Sequence, residues 1–234
     1  MMYSSMNTKT AQKKEKKMNL KGKTVNILGD SITEGVGVSE QSKRYADVFA
    51  NLTGAKVNNY GISGTRFAKQ TVPTETNPSF DQDFISRVEE MDENADAVVV
   101  FGGTNDFGHG DAPLGDMQSR DPYTFYGACH ILMSSLMEKF CGKPVVFMTP
   151  LQRAYTNDNE ALINSRGYAF KQYIDIIKEV AEYYAIPVLD MYKMSGITVH
   201  VQKVKEELTV DGLHPSDKGA RVNAERLKGF MEAL

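Results

Sequence analysis

Short apolar runs alternate with amphipathic stretches along most of this 234-residue chain, and this alternation limits the folds that the chain can adopt. The runs are bounded by polar residues or glycine, are mostly rich in β-branched side chains, and cover residues 25–28, 56–59, 97–101, 144–148 and 186–189. Such runs are typical of strands in a parallel sheet that is buried on both faces. Their alternation with helical stretches predicts β-α-β units and therefore an α/β fold with a single domain.

Helices are predicted where apolar side chains recur every three or four residues. These stripes, which we interpret as core packing, are Tyr45, Val48, Phe49 and Leu52; Phe84, Ile85, Val88 and Met91; Phe125, Cys129, Leu132 and Leu136; Tyr173, Ile177, Val180 and Tyr184; and Ala220, Leu227, Phe230, Met231 and Leu234. Gly54 is predicted to end the first helix. Asp121 and Pro122 are predicted to be the N-cap and the first residue of the third.

Charge divides the chain into two parts. Residues 1–23 contain seven lysines and one glutamate and no apolar segment typical of a signal peptide, so they are predicted to be a disordered basic tail. Met18 is an alternative start. Residues 24–234 then carry a net charge of about −9, which argues against nucleic acid as a partner. No apolar stretch approaches the roughly 20 residues of a membrane span.

The two cysteines are predicted to be free thiols. Cys129 and Cys141 are twelve positions apart near one predicted helix, which would separate them by roughly 18 Å. A disulfide cannot bridge that distance, so a cytoplasmic location is expected. Neither cysteine has the spacing of a zinc or redox motif, and no metal site is predicted.

Ser31 follows the first apolar run directly, in the segment Gly29-Asp30-Ser31. A sharp turn from a strand into a helix exposes a side chain at the carboxyl edge of a sheet, where open α/β folds place their ligands. A serine there is a candidate nucleophile if a base lies within hydrogen-bond reach. The alternative is a serine that caps the next helix.

The segment Asp211-Gly212-Leu213-His214-Pro215 supplies the base that Ser31 would need. A serine hydroxyl needs an imidazole to accept its proton, and the imidazole needs an acceptor that fixes its tautomer. His130 is predicted to be packed inside a helix and His200 to be solvated, while His109 lies in a glycine-rich loop near the strand ends. Asp211 and His214 are therefore the predicted acid and base.

Candidate donors for an oxyanion hole follow the first three runs. They are the backbone N–H groups of Ser31 and Gly61 and the side-chain amide of Asn105. Taken singly, each is more often a turn residue.

Four segments together resemble the SGNH hydrolases, also called the GDSL esterase/lipase family. They are Gly-Asp-Ser-Ile-Thr at 29–33, Asn-Tyr-Gly-Ile-Ser-Gly at 59–64, Gly-Gly-Thr-Asn-Asp at 102–106 and Asp-Gly-Leu-His-Pro at 211–215, and the resemblance covers residues 24–234 in order. The resemblance implies that the serine, glycine, asparagine and histidine for which the SGNH family is named are Ser31, Gly61, Asn105 and His214. It also implies that the first three form the oxyanion hole. It also implies a three-layer α/β/α sandwich with a parallel five-stranded flavodoxin-like sheet, and no metal or organic cofactor.

The expected activity is hydrolysis of a small-molecule ester through an acyl-enzyme. Polar segments around the expected site predict short, acetyl-like acyl groups and a small or carbohydrate-type alcohol, with Arg66, His109, Tyr123 and Tyr155 as substrate-binding residues. An acyltransferase, thioesterase or lysophospholipase with the same triad remains an alternative, as does a non-catalytic binding module. Ser63 is a rival nucleophile without a base nearby in the sequence. The oligomeric state is not predicted.

Overall fold

The structure is a computed structural model that describes residues 18–154 and 162–234, and its centre is a five-stranded sheet. The strands are β1 (Thr24–Gly29), β2 (Lys56–Gly61), β3 (Ala97–Phe101), β4 (Val145–Met148) and β5 (Val188–Leu189). They are all parallel and lie in the order β2-β1-β3-β4-β5. This is the flavodoxin-like order, and every predicted strand is present with ends within two residues of those expected.

Helices connect the strands and cover the sheet. They are α1 (Ser31–Glu34), α2 (Tyr45–Thr53), α3 (Phe84–Arg87), α4 (Thr104–His109), α5 (Phe125–Lys139), α6 (Phe170–Tyr183), α7 (Met191–Met194), α8 (Gln202–Leu208) and α9 (Asp217–Ala233). Short 3₁₀ turns occupy Gln41–Lys43, Pro78–Asp81 and Val88–Glu90.

The central strand β3 divides the core into two layers, because successive side chains of a strand point to opposite faces. Ala97, Val99 and Phe101 pack with the apolar faces of α2 and α9. Val98 and Val100 pack on the other side with α3, α5 and α6. Helices therefore cover both faces, and the predicted three-layer α/β/α sandwich is confirmed.

Helix α5 begins later than predicted. Thr124 is its N-cap, and the Thr124 hydroxyl accepts a hydrogen bond from the Gly127 N–H at 3.1 Å. Asp121 instead accepts from the Tyr123 N–H, and the Thr124 N–H donates to the Asp121 carbonyl oxygen. The Asp-Pro pair thus forms a turn before the helix, and the prediction of Asp121 as the N-cap is wrong. Gly54, by contrast, ends α2 with a positive φ of 71°, as expected.

The folded domain begins before residue 24. Leu20 is buried, and the Met18 N–H donates to the Glu232 carbonyl oxygen in the last helix. Residues 18–23 therefore pack against the domain, and the predicted boundary at residue 23 is too late. Residues 1–17 lie outside the described residues.

Both cysteines are free, as predicted; Cys129 is buried and Cys141 is exposed. No helix in residues 18–154 and 162–234 has the length and apolarity to cross a membrane.

Candidate active site

Ser31 lies at the carboxyl end of β1, at the first position of α1. Asp30 takes the capping role, since its carboxylate accepts a hydrogen bond from the Ile32 N–H at 3.0 Å. The alternative role of Ser31 as a helix cap is therefore filled by its neighbour. The Ser31 hydroxyl is left to face the loop that carries His214.

Ser31, His214 and Asp211 form a continuous chain of hydrogen bonds. The Ser31 Oγ lies 3.0 Å from the His214 Nε2, and the His214 Nδ1 lies 2.7 Å from an oxygen of Asp211. An ionised carboxylate only accepts hydrogen bonds, so in the neutral imidazole Nδ1 carries the proton and Nε2 accepts from the serine. The arrangement can move a proton from Ser31 to His214.

Asp211 also shapes its own loop. Its second oxygen accepts the backbone N–H groups of Leu213 at 2.9 Å and His214 at 2.7 Å. Burial raises the pKa of Asp211, but the hydrogen bonds from His214 and Leu213 outweigh burial, and the net pKa lies below its ordinary value. The side chain is 49% exposed, so solvent reaches the acid end of this chain.

The loop that carries His214 is held at both ends. Gly212 has a positive φ of 81°, and its N–H donates to the Thr209 hydroxyl at 3.0 Å. Thr209 and Pro215 form an isolated antiparallel bridge, after which Ser216 caps α9. The Ala154 N–H donates to the Gly212 carbonyl oxygen at 2.7 Å and ties this loop to the segment that follows β4.

Asn105 lies in the first turn of α4, at the end of β3. It is 7% exposed, and its side-chain nitrogen donates to the Thr65 carbonyl oxygen at 3.0 Å. An amide nitrogen carries two hydrogens, so this bond orients the side chain and leaves one hydrogen for another acceptor.

The geometry contradicts the prediction that the Gly61 N–H serves the oxyanion hole. This N–H donates to the Asn59 side-chain oxygen at 2.8 Å. The position needs glycine for packing instead, because a Cβ there would lie 2.2 Å from the Glu34 backbone nitrogen. The absence of a side chain at Gly61 allows the end of β2 to pack closely against α1.

Gly64, the second glycine of the same segment, has the properties expected of Gly61. Its φ is 76°, and its N–H has no acceptor in the described part of the chain. It directly precedes Thr65, whose carbonyl oxygen holds Asn105. The N–H of Ser31 likewise has no acceptor among residues 18–154 and 162–234. The sequence motif contains both glycines, and the prediction named Gly61 and missed Gly64.

Two buried carboxyl groups lie behind these residues. Burial raises the pKa of Asp30 and of Asp106 to about 6 in each case. Asp106 accepts the Phe67 N–H at 3.0 Å and the Ala68 N–H at 2.9 Å. It therefore anchors the loop after β2 to the start of α4.

Arg66 does not line the site, contrary to the prediction. It is 3% exposed, and its terminal nitrogens donate to Thr74, to the Phe80 carbonyl oxygen, to Asp81 at 2.5 Å, and to His109. These partners come from the long loop before α3 and from the end of α4. Arg66 thus holds that loop together, and its two terminal nitrogens are bonded within the protein.

The other three predicted substrate-binding residues, His109, Tyr123 and Tyr155, differ in their surroundings. The His109 Nδ1 accepts from Arg66 at 3.1 Å, because a guanidinium only donates. Burial, and next the charges of Arg66 and Arg153, lower the pKa of His109 to about 4, so its ring is neutral at physiological pH. Tyr123 lies in the turn before α5 and is 41% exposed. Tyr155 lies outside the described residues.

The remaining histidines agree with the sequence interpretation. His130 is buried between the rings of Tyr183 and Tyr184, and His200 is exposed. No group of three or more His, Cys, Asp or Glu side chains within the described ranges is arranged to hold a metal ion.

Known proteins share both the sequence pattern and the architecture. The profile of the GDSL-like lipase/acylhydrolase family matches residues 27–222. A search of curated proteins finds no matching sequence.

Three solved structures are similar to this chain along nearly their whole length. A protein from Lactobacillus plantarum is 30% identical, with a TM-score of 0.80 over 91% of this chain and 98% of that one. A possible lipase from Chitinophaga pinensis is 22% identical, with a TM-score of 0.65 over 88% and 96%. A carbohydrate acetylesterase family member from Sinorhizobium meliloti is 17% identical, with a TM-score of 0.60 over 91% and 100%. The family profile covers most of the chain, and the chain belongs to the GDSL-like lipase/acylhydrolase family.

Proposed function

We propose that this chain hydrolyses small esters through an acyl-enzyme on Ser31. The observation that carries the proposal is the hydrogen-bonded sequence of Ser31, His214 and Asp211, with distances of 3.0 and 2.7 Å. A serine next to an imidazole that is itself oriented by a carboxylate is the arrangement that activates a hydroxyl nucleophile.

The reaction has two halves. The Ser31 Oγ bonds to the ester carbonyl carbon while its proton passes to the His214 Nε2, and the carbonyl electron pair moves onto oxygen. When the tetrahedral intermediate collapses, the alcohol leaves with the proton from His214. A water molecule then attacks the acyl-enzyme, gives a proton to His214, and releases the acid as Ser31 regains its proton. Asp211 stabilises the imidazolium in both halves.

Three donors are proposed to stabilise the oxyanion. They are the N–H groups of Ser31 and Gly64 and the second amide hydrogen of Asn105. Gly64 replaces Gly61 in this role, because the Gly61 N–H is already bonded to Asn59. Donors that are held in place before the reaction stabilise the developing charge without reorganisation.

The proposed acyl group is short. Phe67, Phe80, Phe107 and Leu114 are the apolar residues that could have lined a tunnel for a long chain. Phe67, Phe107 and Leu114 are buried in the layer of the core that packs with α5 and α6. Phe80 is partly exposed and its ring packs against His109, so only one of these four side chains remains to contact an acyl group. This packing supports an acetyl-like substrate, because each methylene of a longer chain that stays in water forgoes roughly 0.8 kcal/mol.

The proposed leaving group is a small or carbohydrate-type alcohol. Neutral His109 can donate a hydrogen bond from Nε2 while Nδ1 accepts from Arg66. We propose His109 as the polar contact for a hydroxyl of the alcohol and keep Tyr123 and Tyr155 as further candidates. The Sinorhizobium meliloti structure bears the name of a carbohydrate acetylesterase family member, but at 17% identity it shares the fold alone.

The test combines turnover with labelling. Wild-type protein should hydrolyse p-nitrophenyl acetate and form a covalent adduct with a fluorophosphonate, and peptide mass spectrometry should place the adduct on Ser31. Ser31→Ala should lose both while keeping its fold. Ser63→Ala is the matched control and should still be labelled on Ser31. An adduct on Ser63, or wild-type protein that neither turns over nor reacts, would refute the proposal.

The same assay separates a hydrolase from an acyltransferase. Glycerol added as an acceptor should leave free acid as the main product. Acyl-glycerol as the main product would assign the second half-reaction to an alcohol instead of water.

A further inference from the structure

Arg87, the last residue of α3, places a buried guanidinium at the carboxyl end of the sheet. It is 3% exposed, and its Cζ atom lies over the Phe84 ring, 5.2 Å from the ring centre. Nothing in the sequence motifs singled it out, because it lies among core residues of a short helix.

The guanidinium holds three separate segments. Its two terminal nitrogens lie 3.3 and 3.4 Å from the Gly29 carbonyl oxygen, at the end of β1. One of them also donates to the Thr65 hydroxyl at 3.1 Å, and the other donates to the Tyr60 carbonyl oxygen in β2. The planar fork of an arginine suits such a multiple contact, whereas a lysine ammonium offers a single point of charge.

Two of these segments, those of Gly29 and Thr65, lead to the proposed oxyanion donors. Gly29 is two residues before Ser31, and Thr65 directly follows Gly64. The Thr65 carbonyl oxygen also accepts the Asn105 amide at 3.0 Å, so Arg87 reaches Asn105 through one residue. One side chain therefore links the supports of all three donors.

No carboxylate within the described residues pairs with this charge at ion-pair distance. Burial lowers the pKa of Arg87 to about 10, and the more distant charges of Glu90, Asp30, Asp83 and Glu34 act against this shift. The group is still a cation at neutral pH. Burial of a charge without an ionic partner is costly, and such groups often occur at functional sites.

We propose that Arg87 is a positioning residue that sets the relative placement of the oxyanion donors on Ser31, Gly64 and Asn105. This inference rests on the proposed function. It differs from a purely structural role, in which Arg87 would stabilise the fold without any specific effect on the transition state.

The first test is Arg87→Lys, which keeps the charge and removes the fork. We expect kcat for p-nitrophenyl acetate to fall roughly 10- to 100-fold, as for a displacement of reacting groups by about 1 Å, with KM within about twofold. The concentration of active protein is taken from fluorophosphonate titration, so that a partly unfolded sample does not imitate a lower kcat.

Lys139→Met is the matched control. Lys139 donates to the carbonyl oxygens of Val88 and Glu89, which follow Arg87 in the chain, but contacts none of the three donor segments. The Lys139→Met variant should have a lower Tm and an unchanged kcat per active site. If Arg87→Lys behaves in the same way, Arg87 is structural only and the inference is wrong.

A second pair of variants covers the case in which Arg87→Lys does not fold. Thr65→Val removes the hydroxyl that accepts from Arg87 and donates to the Ile62 carbonyl oxygen at 2.7 Å, and Thr65→Ser retains both bonds. Thr65→Val should lower kcat at unchanged KM, and Thr65→Ser should restore it. Equal kcat in both variants would overturn the inference.

A double-mutant cycle tests whether Arg87 acts through Asn105. In the Asn105→Ala background the loss from Arg87→Lys should be smaller than in the wild type, because one of the donors it positions is gone. If the losses of kcat from Arg87→Lys and Asn105→Ala were fully additive, the proposal that Arg87 acts through Asn105 would be contradicted. Wild-type protein that is neither active nor labelled at Ser31 would instead refute the proposed function itself, which separates the two failures.

Discussion

The His214 Nε2 lies 3.0 Å from the Ser31 Oγ although the two residues are 183 positions apart in the chain. The fold brings the two residues together, because the end of β1 lies beside the loop that precedes the last helix.

Asp211→Asn should lower kcat for p-nitrophenyl acetate about 10³-fold, because an amide no longer enforces the tautomer with Nδ1–H. We expect a smaller loss of kcat than for a fully buried triad carboxylate, since Asp211 is 49% exposed and water can partly replace its carboxylate. Asp217→Asn is the control; Asp217 also lies near the end of this loop, but its carboxylate accepts from Ser39. A loss under tenfold for Asp211→Asn would mean that another group orients His214.

Asn105→Ala should lower kcat by roughly 10²- to 10³-fold and leave KM little changed, because an oxyanion donor acts mainly in the transition state. Steady-state kinetics with p-nitrophenyl acetate would measure both constants. A change confined to KM would make Asn105 a substrate-binding residue instead. Asn105→Asp should lower kcat at least as much, because a carboxylate would repel the oxyanion.

Short acyl groups should be the best substrates. Along p-nitrophenyl acetate, butyrate, octanoate and palmitate, kcat/KM should be highest at acetate or butyrate. The reason is that Phe67, Phe107 and Leu114 are buried in the core, and the partly exposed Phe80 ring offers too little apolar surface for a longer chain. A maximum at octanoate or beyond would contradict the short-chain proposal and favour a lipase or thioesterase.

Acidification should favour wild-type protein over the Asp106→Asn variant. Burial raises the pKa of Asp106 to about 6 from an ordinary value of 3.8, so between these values the folded state binds more protons than the unfolded state. The free energy of unfolding contributed by this group is therefore present below pH 3.8 and is lost as the pH rises through about 6.

Denaturant unfolding at pH 7.5 and pH 4.5 would measure this effect. The difference in unfolding free energy between wild type and Asp106→Asn should shift towards the wild type on acidification, by at most roughly 2 kcal/mol, because only about 1.5 of the shifted pKa units lie above pH 4.5. Asparagine does not titrate and provides the reference. A difference that stays constant with pH would show that Asp106 has an ordinary pKa.

The sequence alone determined the layers of the fold and the members of the hydrogen-bonded chain around Ser31. Strand periodicity is local, because a strand buried on both faces must be apolar at every position, and this is visible in residues 97–101 without any tertiary information. His214 was identifiable because Asp211 lies three residues before it and Pro215 follows it; His109 has Asp106 at the same spacing but no proline after it.

Only the tertiary structure decided which polar groups are already occupied. The sequence does not distinguish Gly61 from Gly64 as an oxyanion donor. In the structure the Gly61 N–H donates to the Asn59 side chain, whereas the Gly64 N–H has no acceptor among the described residues. Arg66 has the residue type and position of a site residue, but Asp81 and His109 bind its terminal nitrogens. Arg87 gains its proposed role from carbonyl oxygens at the ends of two strands. Hydrogen-bond partners distant in sequence leave no periodic signal, so the local pattern predicts where a side chain lies but not whether its donors are free.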